Sequence, residues 1–478
     1  LPILCAPQAC KGIPLSRLPV RARMQADPHG VSRMTIGNAQ QEWAYVAGVQ
    51  AFIYGYPLVE MVRTCALMTA VDEPQNNGRA PINQFSHCPR PWTHEDRDVV
   101  TPANDLLYSM AWLNLADGPV MFSTPAPTGR YFVMEFIDAY SDNFHNLGPR
   151  VMGPSAASFA IVGPDWSGSL PAGSIEIRCP TNLVWVLGRV LIDGVEDMEA
   201  ARAFQAGFTL RATAPARVPR AVAAYQPWNE AGEAFFANLA RAMADNPPPA
   251  VDTGLVAQFS RLGISAERAF DARLPNDAQV AVLRRAVAAG IEIVDGHTRS
   301  RRARPWSINY AGGRLGTDYL ARSCTAMKGL GALASEEALY ALGDFDSKGE
   351  QLDGAHDYVL HFPAGGLPPV DAFWSVSIYG SDFCFADNPI RRYAIGDRTR
   401  DLHYGPDGSL DILIQHAQPR QGISNWLPAP AGRFYLILRL YHPREAILSK
   451  AYTIPPVERI DERVNERVDG QVDEDVQR

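Results

Sequence analysis

Asn104 and Asp105 follow Pro102 and stand immediately before an apolar run that begins at Leu106. A carboxylate placed there can face a cavity as an acid, a base or a metal ligand. The same pair can equally bond to nearby backbone and close the turn. Tyr108, a few residues on, and Arg130, before a second apolar run, are candidates to hold a substrate beside Asp105. A denser cationic element follows late in the chain, where Asn388, Arg392 and Arg398 occur within a short stretch. Guanidinium groups grip carboxylate or phosphate with two parallel hydrogen bonds, so these residues could orient an anionic molecule. Asp387, Asp397 and Asp401 lie close enough in sequence to pair with the same arginines instead. His361 sits inside an alternating run and could transfer protons, alone or with His416 if their strands are neighbours. The candidate catalytic residues are therefore Asp105 and His361. The candidate substrate-binding residues are Asn104, Tyr108, Arg130, Asn388, Arg392 and Arg398. His87 and His94 share a loop ahead of Asp105, but no metal-ligand spacing is present, and neither metal nor cofactor is expected.

The motifs that announce the common reaction classes are missing. There is no Gly-x-Ser-x-Gly, no His-Glu-x-x-His, no P-loop, no strand-linked Gly-x-Gly-x-x-Gly and no Cys-x-x-Cys. Phosphoryl transfer, the common zinc hydrolyses and dinucleotide redox chemistry all lose support. Trp374, Tyr379, Trp426 and Tyr441 could stack on sugar faces or fill a core.

Two kinds of element must position these residues. A helix is expected over residues 41–69, with Pro57 kinking or interrupting it. Strands are expected at 106–115, 131–137, 158–162, 174–178 and 183–192. Asp193 and Glu196 mark the start of a helix reaching about residue 210. Further helices are expected at 229–245, 277–297, 317–333 and 335–342. From residue 357 apolar and polar residues alternate in short runs broken by Pro, Gly, Asn and Asp, the pattern of an antiparallel β region. Strands, then helices, then strands indicate α+β segregation.

The chain has 478 residues, is 46% hydrophobic and 20% charged, and carries a net charge of −8. That length implies several domains, and the acidic balance argues against a nucleic-acid partner. The basic run 299–304 reads as a solvated connection. Seven cysteines, widely scattered, read as buried thiols. No run approaches the ~20 apolar residues of a membrane helix. The opening residues lack a charged segment before their short apolar run, so 1–38 is expected to be a disordered leader and the location cytoplasmic, or periplasmic if the true N-terminus differs. The partner expected is a small-molecule ligand, with no nucleic acid and no membrane, and with room for a homo-oligomer.

Pro102 to Ser109, Trp112, Gly118-Pro119, Asp318 to Arg322, and the blocks DYVLHF, FWSVSIYG, DNPIRRYAIGDRT and RFYLILRLYHP together resemble the bacterial DUF1254/DUF1214 proteins, whose function is unknown. Leu106 departs from that pattern, which has threonine there, and Tyr452 stands where tryptophan is usual. The resemblance implies two β-rich domains joined through helices. Its N-terminal domain, with the initial helix, would cover 39–195, a helical middle region 196–345, and a jelly-roll-like antiparallel sandwich 346–459, followed by a tail at 460–478. A pocket between the β domains is then the default site. An enzyme of hydrolase, lyase or isomerase type acting on a small polar or anionic molecule is the favoured function. A non-catalytic small-molecule or carbohydrate-binding protein is the alternative.

Overall fold

The computed structural model describes residues 36–97, 101–152, 155–228, 232–268, 270, 277–300 and 305–460. Residues 1–35 of the expected leader, most of the basic run and residues 461–478 of the expected tail lie outside the described residues, whereas 36–38, expected in the leader, open a helix. The chain divides after Trp43 into two units, the first described only as the opening turns of helix α1 (Ile36–Met68).

Contrary to expectation, α1 continues through Pro57. Proline has no N–H for the carbonyl four residues back, here that of Ile53. The Ser323 hydroxyl, from a later helix, donates to that carbonyl instead. A tertiary contact thus satisfies the acceptor that proline leaves open.

Nine strands follow in the N-terminal half: β1 (Ser86–His87), β2 (Leu106–Asn114), β3 (Val120–Ser123), β4 (Phe132–Asp138), β5 (Asn143–Leu147), β6 (Ser158–Val162), β7 (Ile175–Arg178), β8 (Leu183–Leu191) and β9 (Thr209–Ala212). They form two sheets, ordered β1-β2-β8-β4-β5 and β7-β6-β3-β9. The period-two pattern assigns the faces. Leu107, Ala111, Phe132, Phe136, Val184 and Val186 pack with Phe122 and Ile161 in a core between the sheets. On the reverse face Leu106, Tyr108, Trp112, Val133, Trp185 and Leu187 meet the helices. Leu106 is fully buried in that second core.

The helices are α2 (Met198–Ala206), α3 (Arg220–Ala223), α4 (Gly232–Asp245), α5 (Thr253–Phe259), α6 (Asp277–Ser300) and α7 (Tyr319–Lys328). Helix α2 starts later than the Asp193/Glu196 signal indicates. Asp197 is its N-cap, and Asp197 also accepts the Asp193 N–H at 2.8 Å, so the acidic run forms a turn before the helix. The expected end of that helix is strand β9.

The C-terminal strands are β10 (Ser307–Ile308), β11 (Ala338–Gly343), β12 (Tyr358–Phe362), β13 (Val370–Gly380), β14 (Ala394–Gly396), β15 (Leu410–Gln415), β16 (Trp426–Pro428), β17 (Phe434–Pro443) and, after helix α8 (Glu445–Leu448), β18 (Val457–Arg459). Their sheets are ordered β10-β11-β17-β13-β14 and β16-β15-β12-β18, with β15 and β16 parallel. Residues 335–342, expected to be helical, instead supply β11. The Glu-Glu-Ala-Leu composition favours a helix locally, but Ala338–Gly343 pair along β17, burying Leu339 and Ala341 in the core between these two sheets. Pairing and burial outweigh a preference of only tenths of a kcal/mol per residue. The protein is thus of mixed α+β class, with β-rich regions flanking helices. No helix among the described residues is long and apolar enough to cross a membrane.

Candidate active site between the β-rich regions

The outward face of the β13–β17 pair is unlike its core face. Trp374, Val376, Ile378, Leu436, Leu438 and Leu440 point into the C-terminal core, and the alternate positions are Phe373, Ser375, Ser377, Tyr379, Arg439 and Tyr441. This second face meets the N-terminal sheet. Tyr131 from the end of β4 packs edge-on against Phe373 and Tyr441, with ring centroids 5.5 and 5.4 Å away. Charges buried in the contact are paired or bonded, as their desolvation requires. Arg189 donates to Glu135 at 2.7 Å and to the Gly331 carbonyl at 2.8 Å. Glu337 accepts from Tyr131 Oη, His442 Nε2 and Arg150 Nε at 3.1, 2.9 and 2.9 Å, tying the two β-rich regions together.

At one edge of this contact a cavity of about 270 Å³ opens. Asn104, Asp105, Ile192, Gly194 and Val195 form one wall, where β2 begins and β8 ends. Phe373, Trp374 and Ser375 of β13, Gly396 of β14, and Arg398 and Thr399 form the other. The second wall depends on close backbone approach. Gly396 pairs with Ser375, and a Cβ on Gly396 would stand 2.1 Å from the Trp374 carbonyl oxygen. At the mouth, Gly194 has φ +85°, a conformation that suits glycine, and leaves Val195 almost wholly exposed. Two exposed ion pairs cross the mouth, Arg398–Asp193 at 3.5 Å and Arg400–Glu196 at 2.7 Å.

Asp105 is the chemically unusual residue. Both carboxylate oxygens are closed off from water, and among the described residues neither has a partner at full hydrogen-bond geometry; the same holds for the Ser375 hydroxyl, although it is close enough to pull on the Asp105 carboxyl. Burial pushes the Asp105 carboxyl up, against the pull of the nearby Ser375 hydroxyl and the Arg439 guanidinium. Asp397, between two lining residues, accepts the Trp374 N–H at 3.2 Å. Desolvation pushes its carboxyl up to about 6, with the Asp105 charge adding to the push and Arg398 opposing it. Its exposure at the rim tempers that effect. A buried carboxyl with raised proton affinity at the cavity wall is suited to proton transfer.

The cavity brings together three of the residues singled out from sequence: Asn104, Asp105 and Arg398. Asn104 also donates to the Trp92 carbonyl at 2.6 Å. Tyr108 lies behind the wall, its hydroxyl accepting the Ala103 N–H at 2.9 Å. Arg130 makes a two-pronged ion pair with Asp197 and donates to the Leu191 carbonyl at 2.7 Å. Arg392 donates to the carbonyls of Ile423, Ser424 and Trp426 and so fastens the approach to β16. Asn388 closes a turn on the Arg392 backbone, with both bonds at 3.0 Å. His361 pairs with Asp411 at 2.6 Å across β12 and β15, with both side chains over a third exposed. None of these last five lines the cavity. His87 and His94 turn instead to Ser109 and Tyr393, at 2.8 and 2.7 Å. No cluster of potential ligands suited to a metal occurs among the described residues.

Ser375 and Arg439 did not emerge from the sequence reading, and Asp397 emerged only as a possible partner for the nearby arginines. One signal was present: in RFYLILRLYHP, Arg439 falls on the face opposite a row of leucines, so that face had to meet something other than solvent or core.

Comparisons with known proteins agree with this organisation. Residues 82–212 match the family described as "Protein of unknown function (DUF1254)", and residues 337–445 match "Protein of unknown function (DUF1214)". No curated protein matches the chain. Among solved structures, the VPA0106 protein from Vibrio parahaemolyticus is similar, with 27% identity and a TM-score of 0.66 over 87% of this chain and 100% of its own. An uncharacterized protein from Burkholderia cenocepacia is 12% identical with a TM-score of 0.44, covering 88% of this chain and 96% of its own.

Proposed function

We propose that this chain, which belongs to the DUF1254/DUF1214 family, binds a small polar molecule in the cavity between its β-rich regions and transforms it, with Asp105 as the acid–base group. One observation carries the reading: Asp105 holds a buried carboxylate, without a hydrogen-bond partner, at the wall of a cavity that two separate sheets build. A buried polar group left without a partner costs about 1–3 kcal/mol, and a charged one costs more. Unpaired groups of this kind persist chiefly where function uses them. Arg398 supplies a cation at the rim for an anionic substituent. The Asp105 oxygens are shut off from water in this conformation, so engaging a ligand requires the loop at 193–197 or the β13 backbone to shift.

A second reading, binding without turnover, is favoured by the dispersal of His361 and Arg392 away from the cavity. Native mass spectrometry of the purified protein tests the site itself. A small molecule retained by the wild type should be lost from Asp105→Asn. Full retention by that variant, with unchanged conversion of the retained molecule, would sink the assignment. Turnover of the molecule by the wild type decides between the two readings.

A further inference from the structure

We propose that Arg439 is the positioning residue of this site, gripping the peptide that carries Asp105 and serving as its counter-charge without touching it. The inference rests on the reading of the cavity as the ligand site. Arg439 is 3% exposed, in the middle of β17. Its Nη1 donates to Ser377 Oγ at 2.9 Å, and its Nη2 donates to the carbonyls of Thr101 and Pro102 at 2.7 and 3.3 Å. The Tyr379 hydroxyl donates to the same Pro102 carbonyl. All the acceptors are neutral, and among the described residues no carboxylate forms an ion pair with Arg439.

A cation buried on neutral acceptors alone is costly unless a charge nearby balances it. Asp105, three residues beyond Pro102, is the nearby carboxylate whose field acts on Arg439. The grip also has a visible mechanical consequence. Thr101 has φ +53°, a left-handed conformation that a β-branched residue rarely adopts, and its N–H is bonded to the Phe383 carbonyl at 2.9 Å. The C-terminal sheet thus bends the approach to β2 and sets where Asp105 emerges.

The groups that face Asp105 come from three elements: Arg439 and Tyr441 from β17, Ser375 from β13, and Asp397 after β14. Arg439 is the cation in that set, and together with the Ser375 hydroxyl it opposes the push from burial. Infrared titration of the carboxyl band that disappears in Asp105→Asn reads the balance without any ligand. Removing the cation in Arg439→Met should raise the Asp105 midpoint by about one pH unit or more. Arg439→Lys keeps the charge but not the fork, and should hold the midpoint within about half a unit of wild type. An unmoved midpoint in folded Arg439→Met overturns the proposal. If Arg439→Met does not fold, the double variant with Asp105→Asn should recover soluble protein, because both uncompensated charges are gone. A double variant that is equally unfolded also overturns it. A cavity that binds nothing would defeat the function proposed above and leave these midpoints unchanged.

Discussion

Replacing Glu337 with glutamine should loosen the protein by an amount that can be worked from the contacts. Glu337 is fully buried. Three donors converge on its two oxygens, Tyr131 Oη and His442 Nε2 on Oε1 and Arg150 Nε on Oε2. Glutamine offers one acceptor oxygen and one NH₂ group. Placing the oxygen at the Oε1 position keeps Tyr131 and His442 bonded but turns the NH₂ toward Arg150. That loses one charge-assisted bond and weakens two others, a total of about 2–4 kcal/mol. The opposite placement strands two buried donors and costs more. Melting entropy near 2.1 cal/mol/K per residue makes about 1 kcal/mol/K for a chain of this length, so Tm should fall by roughly 2–4 °C.

The pH dependence sharpens the test. Burial pushes the Glu337 carboxyl up, but the bonds from His442 and Arg150 outweigh it and leave the net shift downward from 4.5. A depressed carboxylate stabilises the fold above its unfolded value and loses that contribution as pH falls through the folded one. Urea unfolding followed by tryptophan fluorescence at pH 7.5 and again below pH 4.5 should show the difference between wild type and Glu337→Gln shrinking in acid. A variant within about 0.5 kcal/mol of wild type at pH 7.5, or a difference that grows in acid, would refute the reasoning.

Other predictions follow from single contacts. Ser323→Ala leaves the Ile53 carbonyl without its donor and should cost about 1–3 kcal/mol in chemical denaturation, although Ser323 lies far from Pro57 in sequence. Gly396→Ala forces a methyl group against the Trp374 carbonyl and should cost about 1–3 kcal/mol while abolishing ligand retention at the cavity. Burial raises the Asp138 carboxyl from 3.8 to about 6, while it accepts the Tyr140 and Asp142 N–H groups at 2.8 and 3.0 Å. A raised folded value means that stability is fullest below pH 3.8 for this group and declines as pH rises through about 6. Asp138→Asn keeps both bonds and should flatten that decline, by roughly 1–1.5 kcal/mol between pH 5 and pH 8 in calorimetry. Arg400→Ala removes an exposed ion pair and should change stability by less than about 0.5 kcal/mol, serving as a control for substitutions at the mouth.

The sequence by itself determined the β-rich ends, the helical middle and the family. Short apolar runs bounded by turn residues survive folding because they are buried as strands, and β2, β8 and β17 are such runs, buried on both faces. It also pointed to Asn104, Asp105 and Arg398, since polar residues beside turns are readable without long-range information. Tertiary structure alone decided the rest. Whether 335–342 became helix or strand depended on β17 lying about a hundred residues further on. Pro57 could remain inside α1 because Ser323 arrives at the carbonyl it leaves open. Arg130 and Arg392 have the same chemistry in sequence as Arg398, but Asp197 and the carbonyls of Ile423, Ser424 and Trp426 hold them away from the cavity, as Asp411 holds His361. Hydrogen bonds and buried charges are settled by which groups meet within about 3 Å. For this chain those meetings are made between sheets that the sequence keeps more than two hundred residues apart, as Arg439 and the Thr101–Pro102 peptide show.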